Sequence, residues 1–112
     1  MTLRLPWPPS DLSPNARGSW RSKEDARKKY KQDCGLLAKV AIPAFMEDEI
    51  HLTIVFYPPD DRKRDLDNML GSIKYGLDAV AAAWGVNDQR FSMTIRRGPK
   101  IKQGVVTIEA RT

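Results

Sequence analysis

The sequence predicts an α/β (α+β) fold, a single domain in which a mixed four-stranded sheet is covered by two main helices in the order β-α-β-α-β-β. Three observations carry that expectation. Ile50, Leu52, Ile54 and Phe56 alternate with His51, Thr53, Val55 and Tyr57, the period-two signature of a strand. Leu66, Met69, Leu70, Ile73, Leu77, Val80 and Trp84 recur at i, i+3, i+4, i+7 spacing, the stripe of an amphipathic helix. Two further alternating segments, Phe91-Met93-Ile95 and Val105 to Ile108, follow that helix and are separated by the turn residues Gly98-Pro99.

Each element has its own local reason. Leu3, Leu5 and Trp7 alternate with polar residues and run into Pro8-Pro9, which cannot donate to a ladder, so the chain opens on a short edge strand. From Ser10 to Ser19 the density of Ser, Pro, Asn and Gly leaves no apolar period, and this loop carries Asn15 and Arg17 toward Trp20. Ser22, with Asp25 three residues on, reads as the cap of a helix whose Ala26, Tyr30, Leu37, Ala38 and Ala41 face the core until Pro43 stops it. The strand at 50–57 has one strongly apolar face and ends at Pro58-Pro59, as a central strand would. Gly85 suits the end of the second helix, Asn87-Asp88 a turn, and the last two strands are expected to pair as a hairpin.

The 112 residues fit one domain of roughly 100–150 residues. With 41% apolar and 29% charged residues the composition is that of a folded globular domain. A formal net charge of +5 favours polyanionic partners. The single cysteine, Cys34, excludes an internal disulfide and suits a reducing cytoplasm. No apolar run approaches the ~20 residues that span a bilayer, and the proline-rich start is unlike a secretory signal, so neither membrane insertion nor export is expected.

The chemistry concentrates at Arg62-Lys63-Arg64-Asp65-Leu66-Asp67-Asn68, where three cations run into two carboxylates at the mouth of the second helix. Cations attract phosphate, and clustered carboxylates attract a divalent metal. Asp65 suits an N-cap and Asp67 the first turn; an extended cap residue lets both carboxylates converge on one ion. Hard oxygen donors without a Cys or His cluster suit Mg²⁺, or Mn²⁺, rather than zinc. Asp88, in the loop entering the third strand, would be a third carboxylate if that loop lies at the same end of the sheet. Lys74, two turns past Asp67, reaches back toward a phosphate held there. The ordinary alternatives stand beside each reading: Asp-Xaa-Asp is also a double cap, Asn87-Asp88 also a turn, Lys74 also a solvated lysine, and Trp7 and Trp20 also core or dimer contacts.

Leu5-Pro6-Trp7-Pro8-Pro9-Ser10 followed by Asn15, then the basic run with Asp65-Leu66-Asp67-Asn68, then Asn87-Asp88, resembles the RusA family of Holliday junction resolvases, over residues 3 to about 110. The family comprises small homodimeric, Mg²⁺-dependent endonucleases of DNA recombination and repair, often prophage-encoded, that nick two strands of a four-way junction symmetrically. The resemblance implies that Asp65, Asp67 and Asp88 are catalytic, metal-binding carboxylates. It also places a catalytic lysine one turn after the second aspartate, where this chain has Gly71, so either Lys74 substitutes from a second turn or the family contains this variant spacing.

Symmetric cutting needs two sites facing two equivalent strands, hence a homodimer, with contacts expected around Trp84, Val86 and Phe91. Branched DNA would be held by Arg62, Lys63 and Arg64 together with Arg17, Arg21, Lys23, Arg27, Lys28 and Lys31. The expectation is therefore a Mg²⁺-dependent endodeoxyribonuclease that resolves four-way junctions. The alternatives are a non-catalytic basic module for branched DNA and an RNA- or ribosome-associated protein in which the aspartates only cap a helix.

Overall fold

Alternation places Leu3 and Leu5 inward along the first strand, β1 (Thr2–Pro6), and Ile50, Leu52, Ile54 and Phe56 inward along β2 (Ile50–Tyr57). The computed structural model describes residues 2–43 and 49–111. Between these strands α1 (Trp20–Lys39) crosses the sheet, and after β2 come α2 (Leu66–Ser72), α3 (Lys74–Trp84), β3 (Phe91–Arg97) and β4 (Val105–Arg111). The four-stranded sheet has the order β1-β4-β2-β3, with β4 antiparallel to both β1 and β2, and β3 parallel to β2. It is a mixed sheet in a single α+β domain, and β1 is an edge strand. Helices cover one face: Tyr30, Cys34 and Ala38 of α1 and Leu77, Val80 and Trp84 of α3 close a core over Leu5, Leu52, Phe56, Val106 and Ile108. The opposite face carries His51, whose ring nitrogens lie 2.8 Å from Ser92 Oγ and 2.9 Å from Thr94 Oγ1. No helix among the described residues is long and apolar enough to cross a membrane.

The structure corrects several local expectations. The second helix is two helices. The Ser72 hydroxyl donates to the Asn68 carbonyl at 2.8 Å, and Ile73 N bonds Leu70 O, so the ladder tightens and breaks at Ile73. Its apolar stripe nevertheless runs through the break, with Met69, Ile73, Leu77, Val80 and Trp84 buried. Gly85 ends α3 in the left-handed conformation, φ 70°, that glycine adopts without strain. The first helix starts three residues early: Ser19, not Ser22, is the cap, its hydroxyl accepting from Ser22 N at 3.0 Å, while the Ser22 hydroxyl donates to Asp11. It also ends at Lys39, before Ala41 and Pro43.

The last two strands do not form a hairpin. β2 lies between them, and the connection passes over the end of β2, where Gly98 N bonds Phe56 O at 2.8 Å and Ile101 N bonds Pro58 O at 2.9 Å. Trp84 is not a surface contact: it is 3% exposed, its indole N–H donates to Ala38 O at 3.2 Å, and Phe91 meets its ring edge-on at 6.2 Å. These two aromatics fasten α1, α3 and β3 together, so Trp84, unlike the half-buried Val86 and Phe91 expected beside it, is not free to meet a second copy. Trp20 is largely exposed.

Candidate functional site

The site lies beyond the carboxyl end of β2. Pro58-Pro59 halt the strand, the chain turns through the basic run, and α2 starts at Asp65. Asp65 has the extended backbone of a cap, φ −80° and ψ 143°, yet its side chain makes no cap hydrogen bond. Its exposed carboxylate is therefore left to the solvent side, and Asp67, also exposed, follows in the first turn, where the helix dipole favours negative charge. Pro14 packs onto Gly71 from the other side, and the Asp11–Ser22 bond ties the start of α1 to the same end of the molecule.

A cleft of about 490 Å³ opens beside Asp65, between the loop of Trp7, Pro9 and Ser13 and the start of α2 with Asn68 and Met69. The three cations are not equivalent along its rim. Arg64 is held: its guanidinium carbon lies 5.5 Å from the Trp7 ring centroid, Nη1 bonds Asp60 at 2.8 Å, and the side chain is 19% exposed. Trp7 is itself fixed, edge-on to Phe56 at 6.4 Å and against Gly104, where φ is 70° and a Cβ would meet Trp7 at 2.9 Å. The Arg64 hydrogen bond, reinforced by the Arg62 backbone N–H, holds the Asp60 carboxyl below the usual carboxylate range. Asp61 in turn pairs with Lys100 at 2.9 Å and raises that ammonium above its ordinary value. Arg62 and Lys63 point into solvent, and among the described residues Lys63 has no ion pair.

The other expected cations divide in the same way. Arg17, Arg21 and Lys28 are exposed, while Lys23 donates to Ala16 O at 2.9 Å. Arg27 bonds Glu24 at 3.3 Å and lies 4.7 Å from the Tyr75 ring centroid, with Lys31 at 5.7 Å from the same ring, so both also brace α1 against α3. Lys74 is exposed at the start of α3, beyond the break.

Asp88 is not brought to Asp65 and Asp67 within the chain. Parallel pairing sets Phe91 beside Ile50, so the loop carrying Asp88 sits at the start of β2, whereas Asp65 follows its end. The seven residues of β3, at about 3.3 Å each, hold the two ends roughly 20 Å apart. Asp88 instead borders a shallow depression with Asp78, Ala82 and Val86 at the end of α3. Among the described residues no group of three or more His, Cys, Asp and Glu could hold a metal ion. The donors present still have the chemistry Mg²⁺ uses, since that ion is commonly held by one or two carboxylates with the substrate's phosphates.

Sequence reasoning missed two supports of the site. Arg97, at the end of β3, donates from Nη2 to the Arg64 carbonyl at 2.9 Å. Its signal was the Arg96-Arg97 pair just before the Gly98-Pro99 turn. Trp7, read as a core or dimer contact, does pack against the core and also supports Arg64, and its signal was an aromatic preceding two prolines.

No family model matches the chain. It is 29% identical over 108 residues to the crossover junction endodeoxyribonuclease RusA of Enterobacteria phage HK97, an alignment covering 94% of this chain and 88% of that one. The likeness spans nearly the whole domain. It is also 39% identical over 94 residues to an uncharacterised protein of Xylella fastidiosa, covering 80% of this chain and 61% of the relative, so the chain spans about three-fifths of that protein's length.

Proposed function

We propose that this protein is a DNA endonuclease that resolves four-way junctions by Mg²⁺-dependent phosphodiester hydrolysis, acting as a homodimer. The observation that carries the reading is the uncapped Asp65 carboxylate standing next to Asp67 and a cation-rimmed cleft, in a chain similar over 94% of its length to a crossover junction endodeoxyribonuclease. Arg62 and Lys63 bind phosphates of the substrate strand, and Arg64, fixed by Trp7 and Asp60, presents its charge with little side-chain entropy left to lose. Asp65 and Asp67 would hold the metal, which when bound would offset charge at the phosphate and acidify a water.

The distance to Asp88 is met by the second copy. β3 is an edge strand, and two copies pairing β3 to β3 about a two-fold axis run antiparallel. That pairing carries Asp88 of one copy to the Gly98–Lys100 end of the other, where Arg97 already touches the residue before Asp65. Each site then takes Asp65 and Asp67 from one copy and Asp88 from the other, and neither copy is complete alone.

The separation within one chain also favours a second reading, a module that binds branched DNA without cutting it. One experiment separates them: purified protein is incubated with synthetic four-way junctions and Mg²⁺ beside the Asp67→Asn variant. Paired, symmetric nicks made by the wild type alone support the nuclease. Equal, metal-independent binding by both proteins with no nicks above the variant refutes it.

A further inference from the structure

We infer that the cleft beside Asp65 takes one unstacked nucleotide of the bound strand, seating its base against Pro9, Met69 and the Arg64 guanidinium and its phosphate on Arg62 and Lys63. The inference rests on the nuclease reading and names what that site grips.

At about 490 Å³ the cleft lies within the roughly 300–1,000 Å³ of small-ligand sites, and its floor is closed by Met69 and Ser72 of α2. A cleft of this volume suits a single base swung out of the stack. The walls are rigid, because prolines 8, 9 and 59 have no rotamer freedom to lose on contact. Arg64 lines the cleft while Trp7 supports it, and a guanidinium plane so supported is a platform on which any base can stack.

Polarity is distributed as a nucleotide requires. Arg62, Lys63 and Arg64 line the cleft beside Asp60 and Asp65, while Trp7, the prolines and Met69 supply apolar surface and Asn68 a polar edge. Asn68 is half-buried in the lining, and among the described residues its side-chain amide has no hydrogen-bond partner, so both donor and acceptor are free to meet a base edge. Extruding a base costs a few kcal/mol in a duplex and least where stacking is already interrupted, as at a branch point.

The test uses Asp67→Asn protein in Mg²⁺ with four-way junctions carrying 2-aminopurine at each position flanking the branch point. Unstacking brightens this base. At saturating protein, at least one position should brighten several-fold, and adding Ser13→Trp, which fills the cleft, should abolish that rise. No brightening at any position, or brightening unchanged by Ser13→Trp, overturns the assignment. Should Ser13→Trp fail to fold by circular dichroism, Asn68→Ala in the active protein replaces it: cleavage rates across the four bases at the brightened position should converge, and an unchanged ranking overturns the assignment. Cleavage by unsubstituted protein is measured in parallel. Efficient paired nicking with a silent reporter removes the cleft assignment alone, whereas absent nicking removes the nuclease reading itself.

Discussion

Gly71 and Pro14 are in such close contact that a Cβ at position 71 would lie 2.7 Å from the proline Cγ. This contact holds the loop that forms one wall of the cleft against α2, and it leaves a side chain at position 71 no room unless Pro14 shifts. Gly71→Ala would gain about 1 kcal/mol of helix propensity, but overpacking against a rigid ring costs about 1–3 kcal/mol. The expected net change is a loss of about 1 kcal/mol in urea unfolding. Gly71→Ala combined with Pro14→Ala should recover it. An additive double variant would show that the contact carries no strain.

The separation of Asp88 from Asp65 makes subunit mixing decisive. Asp67→Asn and Asp88→Asn should each lose activity on the order of a thousandfold, as several kcal/mol of charge stabilisation at the phosphate disappears. After unfolding and refolding the two variants together, mixed dimers hold one site with both substitutions and one with neither. Single-strand nicking should then return, without paired nicking. If each site were built within one chain, mixing would restore nothing, and a gel of nicked junctions distinguishes the outcomes.

Lys63 and Arg64 should fail differently although they are neighbours. Lys63 is exposed and among the described residues has no ion pair, so Lys63→Ala should weaken junction binding evenly across sequences and lower the log–log salt slope by about one. Arg64 also braces Trp7 and Asp60, so Arg64→Ala should loosen the cleft wall as well as remove a charge. Arg64→Lys keeps the charge but not the planar contact, and should restore the salt slope without restoring the affinity. Full rescue by lysine would reduce Arg64 to a plain cation.

How much the sequence disclosed follows from which forces act locally. The stripe from Leu66 to Trp84 and the alternation from Ile50 to Tyr57 were legible because burial repeats at the period of the element itself, and the stripe survives even where Ser72 breaks the helix. The break depends on where one hydroxyl points, which spacing does not encode. Ser19 and Ser22 are equally good caps in isolation, and only the position of Asp11 decides between them. The basic run and Asp65-Leu66-Asp67 were legible as one segment, so their adjacency needed no fold. Asp88 was not, because its place depends on strand direction. Two helices return the chain to the start of β2, and a parallel neighbour must begin there. Turn residues at Gly98-Pro99 likewise reveal a reversal, but not that β2 stands between the strands it joins.

Alkaline pH should loosen the α1–α3 packing through Cys34 and Tyr30. Both side chains press on Gly76 of α3, where a Cβ would meet Tyr30 Cε2 at 2.6 Å and Cys34 Sγ at 2.9 Å. Burial, with a smaller contribution from Asp33, pushes the Cys34 thiol from 9.0 up to about 12. Burial and then the neighbouring Cys34 raise the Tyr30 phenol above its ordinary value as well, while its hydroxyl donates to Pro6 O at 2.8 Å. Each group has a higher pKa folded than unfolded, so the stability it contributes is complete below the unfolded value and is lost as pH rises toward the folded one. For Cys34 that window opens near pH 9 and closes near pH 12. Unfolding free energy measured in urea should be flat in pH just above neutrality, then fall above pH 9 with a slope of at most about 1.4 kcal/mol per unit for each group. Cys34→Ala would begin lower, because it leaves a small cavity, but should fall less steeply. Parallel curves for wild type and Cys34→Ala would show that the thiol ionises as readily in the folded protein as in the unfolded chain.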